Sequence, residues 1–260
     1  TVGAVTGPNL MQPAGNVAEY FGLPRLVGPY MISAMTLTFA STLIFLFLKP
    51  DPYLTALGEG RIYEAGKKRI KEALIHIWHK PLALFAIFSI AIGHVAMIAV
   101  MVMTPVHMAH VDISLKIIGL VISVHVIGMY AFSPVVGSIS DRIGKVKTIQ
   151  AGLIILLLST IVAGTAKADD IFRLGLGLFL LGLGWSFTLI SGSALLSSSV
   201  DATLKTSAQG ASDLTMNLAG AIGGAIAGLI ISALSYGWLC VFAAIPVLLL
   251  AIWSISFKSP

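Results

Sequence analysis

Charge is what this sequence has least of. Asp, Glu, Lys and Arg make up 10% of its 260 residues, against about 25% in a soluble domain. A soluble fold with an ordinary charged exterior is therefore excluded. The single cysteine, Cys240, rules out an intrachain disulfide framework. No phosphate-binding Gly-rich loop closed by Lys-Ser or Lys-Thr is present, so direct drive by ATP is not expected. No constellation suggests enzymatic chemistry, and none calls for a cofactor. Acid is scarcer than base, 11 residues against 16, for a net charge of +5. The basic residues sit in the connecting segments on one side, so the excess is not read as a nucleic-acid footprint. A signal peptide pattern and an initiating Met are also missing. The chain opens inside an apolar stretch, so a fragment lacking earlier spans is expected.

What is abundant is apolar sequence. Hydrophobic residues are 57% of the chain, and the mean hydropathy is +0.96. A helix crosses a bilayer with about 20 apolar residues. Eight runs meet that length: Thr1 to Phe21, Pro29 to Leu48, Pro81 to Val106, Leu115 to Ile139, Val146 to Ala166, Ile171 to Leu196, Ser207 to Leu234 and Trp238 to Phe257. The predicted fold is an all-α polytopic membrane protein. Tyr53 to Lys80 is the one long polar segment. Lys67, Lys68, Arg69 and Lys71 cluster there, with Ile70, Leu74 and Ile77 at helical spacing. It reads as a basic amphipathic linker on the membrane surface. With that segment inside, strict alternation gives the inner side Lys49, Arg61, Lys67, Lys68, Arg69, Lys71, Lys80, Arg142, Lys145, Lys147, Lys205 and Lys258. The outer side receives Arg25, Lys116, Lys167 and Arg173. Positive charge concentrates on cytoplasmic loops, so the linker and the C-terminus are expected in the cytoplasm.

The turn between two runs carries the most specific pattern: Gly137, Asp141, Arg142, Gly144, Lys145 and Lys147 in the order Gly-x-x-x-Asp-Arg-x-Gly-x-x-Lys. It is expected to be a charged membrane-surface loop, with Asp141 capping a helix start. The order resembles the loop signature of the major facilitator superfamily of secondary transporters, with Val146 where a basic residue is usual. The resemblance implies a conformational latch at these residues, a bundle of twelve spans and a central cytoplasmic loop between two six-span halves. It implies that residues 1–50 hold the last two spans of a first half, 51–80 the linker and 81–260 a complete second half. Near the start, Gly3, Gly7 and Pro8 form Gly-x-x-x-Gly-Pro, which resembles the fifth-span signature of the drug:proton antiporter branch. The Gly pair usual after it is replaced by Met11-Gln12.

Candidate chemistry lies inside the spans. Asn9, Gln12, Asn16 and Glu19 fall on one face of the first run, and polar faces in membranes turn inward. Asp213 and Asn217 share a face one turn apart. A carboxylate in a span costs about 2.5–3.5 kcal/mol, so it meets a cavity or a partner. His94 and His125 are mid-span on consecutive helices, and histidine as a residue type titrates near neutrality, which suits proton coupling. Trp185 either lines a substrate cavity or packs. His107 and His110, with Met101, Met103, Met108 and Asp112, offer a metal reading against the plainer one of interfacial side chains. Gly220, Gly224 and Gly228, spaced by four, make a smooth ridge for a neighbouring helix. Gly175, Gly177, Gly182, Gly184 and Gly192 are read the same way.

The expectation is a multi-pass protein of a bacterial inner or plasma membrane that moves a small organic solute by alternating access, coupled to protons, as in drug or metabolite efflux. Its partners would be the bilayer, the solute, protons and the first spans of the same polypeptide. Without those spans the 260-residue chain is not expected to transport alone. A metal-ion exporter and a non-transporting sensor or partner subunit are the alternatives.

Overall fold

The computed structural model describes residues 6, 7, 10–50, 55, 66–111 and 113–257, and is helical with no strand among them. Gly3, Pro8, Asn9, Asp112, Lys258 and most of the 51–65 segment lie outside the described residues, as do the side chains of Lys67, Lys68 and Arg69. The chain divides into two compact units, one of residues 6–65 and one built on residues 66–260.

In the first unit, α1 (Met11–Tyr20) and α2 (Val27–Phe47) pack as a hairpin. Gly22 supplies the turn with a φ of 71°, a conformation that glycine adopts without steric cost. Gly28 abuts the backbone of Ala14. Arg25 donates to Asn16 Oδ1 at 3.0 Å. Most of α2 is exposed and apolar, including Leu37, Phe39, Phe45 and Phe47. That is the surface a lipid-facing helix presents, because hydrocarbon does not penalise it.

The second unit begins with α3 (Gly66–Trp78), followed by α4 (Pro81–Ala109), α5 (Leu115–Tyr130), α6 (Ser133–Ile143), α7 (Lys145–Gly164), α8 (Ile171–Ser199), α9 (Lys205–Ala233) and α10 (Tyr236–Ser254). The helices α4 and α8 form its centre. The helix α8 packs on α4, α5 and α7, while α4 also meets α9 and α10. Buried side chains such as Phe85, Ile90, Leu153, Leu156, Leu178 and Leu181 fill the contact. Small residues bring backbones together, which drives helix association where lipid supplies no hydrophobic force. Gly177 faces the backbone of Ala163, and Gly184 faces Leu156 and Gly152. Among the described residues two helices carry side-chain caps: Asp170 accepts from the Arg173 amide and Ser235 from the Trp238 amide.

Among the described residues seven segments are long and apolar enough to cross a membrane, with Lys116–Ile143 counted as one. They match seven of the eight expected runs. Of the eighth, Thr1 to Phe21, the ten residues of α1 are described as regular helix. Short connections make the spans of the second unit antiparallel. Lys80, Arg142, Lys145, Lys147 and Lys205 therefore share one end of that unit, and Lys116, Lys167 and Arg173 share the other.

Two local expectations change. The run Leu115 to Ile139 is not one straight helix. It breaks at Ala131-Phe132, and a new helix starts at Ser133-Pro134. Proline removes an amide donor and its ring clashes with the preceding turn, so it opens α6 rather than continuing α5. The charged stretch from Gly137 is also not an open loop. Gly137 to Ile143 is the second half of α6, and Lys145 already starts α7. Gly144 alone makes the turn, with φ 94° and ψ 148°, a region open to glycine and closed to other residues. Asp141 does not cap α7, whose N-cap Gly144 carries no side-chain hydrogen bond.

Candidate substrate and proton site

Three helices of the second unit converge on His94. The indole Nε1–H of Trp185 on α8 donates to His94 Nδ1 on α4 at 3.1 Å. An accepting Nδ1 carries no proton, so the neutral ring holds its hydrogen on Nε2. That edge of the ring lies against Gly220 of α9, where an added Cβ would stand 2.9 Å from Nε2 and 2.7 Å from Cδ2. Trp185 is buried at 6% exposure, and Tyr130 at the end of α5 meets it edge-on with centroids 5.9 Å apart. Position inside a span marked His94 and Trp185 separately. It gave no sign that they bond to each other, and Tyr130, an aromatic side chain within the apolar run Leu115 to Ile139, was missed.

His125 is held differently. It is fully buried on α5, and its Nδ1–H donates to the Leu178 carbonyl of α8 at 2.7 Å. Its Nε2 is buried without a partner. Among the described residues no hydrogen bond or ring contact joins the two histidines.

Asp213 lies on α9. Its carboxylate accepts from Gln209 Nε2 at 3.0 Å, and its backbone carbonyl accepts from Asn217 Nδ2 at 2.7 Å. Both Asp213 and Asn217 are exposed. The span window of α9 is 17% buried, against 61% for α4 and for α8. Its polar stripe of Gln209, Asp213 and Asn217 thus turns away from the helices that pack on it. Gln12, exposed on α1, belongs to the other unit.

The remaining candidates are held by local partners. His107 stacks on Tyr236 with centroids 4.4 Å apart and planes 8° from parallel, and the Tyr236 hydroxyl bonds Thr104 Oγ1 at 2.7 Å. His110 Nδ1–H donates to the Val106 carbonyl at 2.6 Å. Among the described residues no group of three or more His, Cys, Asp or Glu is placed to hold a metal ion. Of the ridge glycines, Gly220 touches α4 closely, Gly224 comes within ordinary contact of Ile98, and Gly228 has no atom within 4 Å of where a Cβ would stand. In the charged turn, Lys145 Nζ donates to Ser198 Oγ at 3.0 Å. Asp141 and Arg142 form no ion pair among the described residues.

Comparison with known proteins agrees with this architecture. The sequence model of the Major Facilitator Superfamily matches residues 84–260. The chain is 37% identical over 258 residues to the uncharacterized MFS-type transporter YdeG of Bacillus subtilis, covering 98% of this chain and 60% of that protein. It is 37% identical over 256 residues to the uncharacterized MFS-type transporter YddS of the same organism, covering 96% of this chain and 58% of that protein. A shorter match, 32% identical over 133 residues, is to the riboflavin transporter RfnT of Brucella anthropi, covering 50% of this chain and 33% of that protein. The chain thus spans about three-fifths of the length of the first two relatives.

Proposed function

The chain belongs to the major facilitator superfamily, and from that premise we propose that it is the larger part of a proton-coupled secondary transporter for a small organic solute. The observation that carries this reading is the polar stripe of α9. Asp213 and Asn217 are exposed, with half-buried Gln209 beside them, on one face of an apolar span. A carboxylate facing hydrocarbon costs about 2.5–3.5 kcal/mol, so this face belongs against a water-filled cavity or another protein surface. Alternating access supplies such a cavity near the midplane.

In this reading Asp213 takes and releases the coupling proton, with Gln209 and Asn217 setting its orientation. His94 is the second proton group. Its Nδ1 accepts a proton only after giving up the Trp185 indole, so protonation and the position of Trp185 are linked. His125 is fixed to Leu178 and serves as a packing and orienting group. Gly137, Asp141, Arg142, Gly144, Lys145 and Lys147 act as the conformational latch, at the basic and cytoplasmic end. Residues 1–50 are then the last spans of a first half and residues 81–260 the second. Efflux of cationic drugs is the first transport mode to test. A flavin belongs in the solute panel because a relative bears the name riboflavin transporter. The metal-exporter reading gains no support from the placement of His107 and His110.

The test uses everted vesicles carrying the complete gene product, with an imposed proton gradient and a panel of cationic dyes and flavins. A transported solute is expected to collapse the gradient, and Asp213→Asn is expected to abolish that collapse. Solute-induced collapse that survives Asp213→Asn unchanged would overturn the assignment of Asp213. Solute movement indifferent to the gradient would overturn proton coupling.

A further inference from the structure

At the basic end of the second unit, where α4 begins and α6, α8 and α10 end, the helices enclose a cleft of about 810 Å³. Its polar wall holds Lys80, Lys145, Ser140 and Asp141, and its apolar wall includes Leu82, Leu195 and Phe257. Neither lysine is in an ion pair among the described residues. Lys145 spends one of its three ammonium hydrogens on Ser198 Oγ. Ser198 and Ser199 both donate to the Leu195 carbonyl, so their hydroxyls have no hydrogen left to offer. Ser140 differs. It is 3% exposed, lines the cleft, and its buried Oγ has no hydrogen-bond partner. The cleft therefore offers two ammonium groups and one free buried hydroxyl donor, with one carboxylate beside them.

That donor set suits a phosphodiester, whose oxygens accept from ammonium and hydroxyl groups. The apolar wall suits an acyl chain running beside it. A soluble phosphate would leave that wall bare. We infer that this cleft binds the headgroup phosphate of an anionic phospholipid, with Lys80, Lys145 and Ser140 on the phosphate and Asp141 accepting from hydroxyls of a glycerol headgroup. The site stands on the membrane character of the chain and is independent of the transport reading. Basic residues at a membrane surface attract anionic lipid by about 1 kcal/mol each, which corresponds to about a fivefold change in association per lysine.

The experiment is native mass spectrometry of the 260-residue chain released from nanodiscs of mixed phosphatidylcholine and phosphatidylglycerol. Selective retention of phosphatidylglycerol is expected. Lys80→Gln and Lys145→Gln should each lower it about fivefold, following the attraction per charge. Ser140→Ala should lower it with both lysines intact. Lys116→Gln and Lys167→Gln, at the opposite end, should leave it unchanged. Because Lys80 is exposed, Lys80→Gln carries the test even if the other variants do not fold. Retention of the two lipids in proportion to their abundance would overturn the inference, as would loss of phosphatidylglycerol in the Lys116 and Lys167 controls alone. Equal binding of soluble glycerol phosphate, competing the lipid away, would overturn the lipid assignment.

Discussion

The contact of Gly220 with His94 makes a sharp test, because α9 provides its own control. Gly220→Ala and Gly228→Ala add the same methyl to the same helix, and each gains up to about 1 kcal/mol of intrinsic helix propensity. At Gly228 the methyl meets nothing within 4 Å. At Gly220 it would sit 2.7 Å from His94 Cδ2 and 2.9 Å from Nε2, where ordinary contact begins at 3.4 Å. The ring must retreat by several tenths of an ångström, away from α9. Nδ1 is the vertex opposite the Cδ2–Nε2 edge, so the retreat presses it toward the Trp185 N–H, already at 3.1 Å, and the hydrogen bond must distort or break. Its loss leaves a buried indole N–H without a partner, at a cost of about 1–3 kcal/mol. Propensity cancels between the two variants, so Gly220→Ala should be the less stable by that amount. For a chain of this size the difference is about 2–4 °C in melting temperature per kcal/mol. Unfolding in detergent, followed by size exclusion after heating, reads it. The source of the penalty is checked in a Trp185→Phe background, where no indole N–H remains to lose its acceptor. There the gap between the two alanine variants should shrink by the hydrogen-bond share. Equal melting temperatures for Gly220→Ala and Gly228→Ala would refute the argument. An undiminished gap in the Trp185→Phe background would assign the penalty to packing alone.

Two further perturbations follow from packing. Gly177→Ala forces a methyl to 2.9 Å from the Ala163 backbone nitrogen, whereas Gly175→Ala, two residues away on α8, meets nothing within 4 Å. The first should cost about 1–3 kcal/mol through overpacking and the second should be neutral or stabilising, as judged by the same melting measurement. Tyr236→Phe removes the 2.7 Å bond to Thr104, while Thr104 keeps its bond to the Val100 carbonyl. A loss of about 1 kcal/mol is expected, and a variant as stable as the parent would show that the pair contributes nothing.

The spans were legible because bilayer thickness imposes a length and hydrocarbon forbids charge, and both leave their mark residue by residue. The break before Ser133-Pro134 was not read, because the run's apolarity masked the proline that marks it. What the sequence did not carry is which face of an apolar helix meets which neighbour. In a soluble helix the polar face points outward. In α4 and α8 nearly every position is apolar or small, so periodicity has no contrast to read. His94 and Trp185 stand 91 residues apart, and no local rule joins them. Nor does regular spacing decide contact. Gly220, Gly224 and Gly228 follow one spacing, yet their neighbours range from a histidine ring to none within 4 Å. Asp213 was legible as an anomaly of composition. Its exposed face, which decides how it is read, became visible only in the fold.

Gly144 links α6 to α7 with a single residue. Such a joint has two torsions, and both sit where a side chain is not accommodated. No second residue is present to take up a change in either one, so a substitution at 144 would fall on both helices at once. It would shift the end of α6 against the start of α7, and with them Asp141, Arg142 and Lys145, which stand within three residues of the joint.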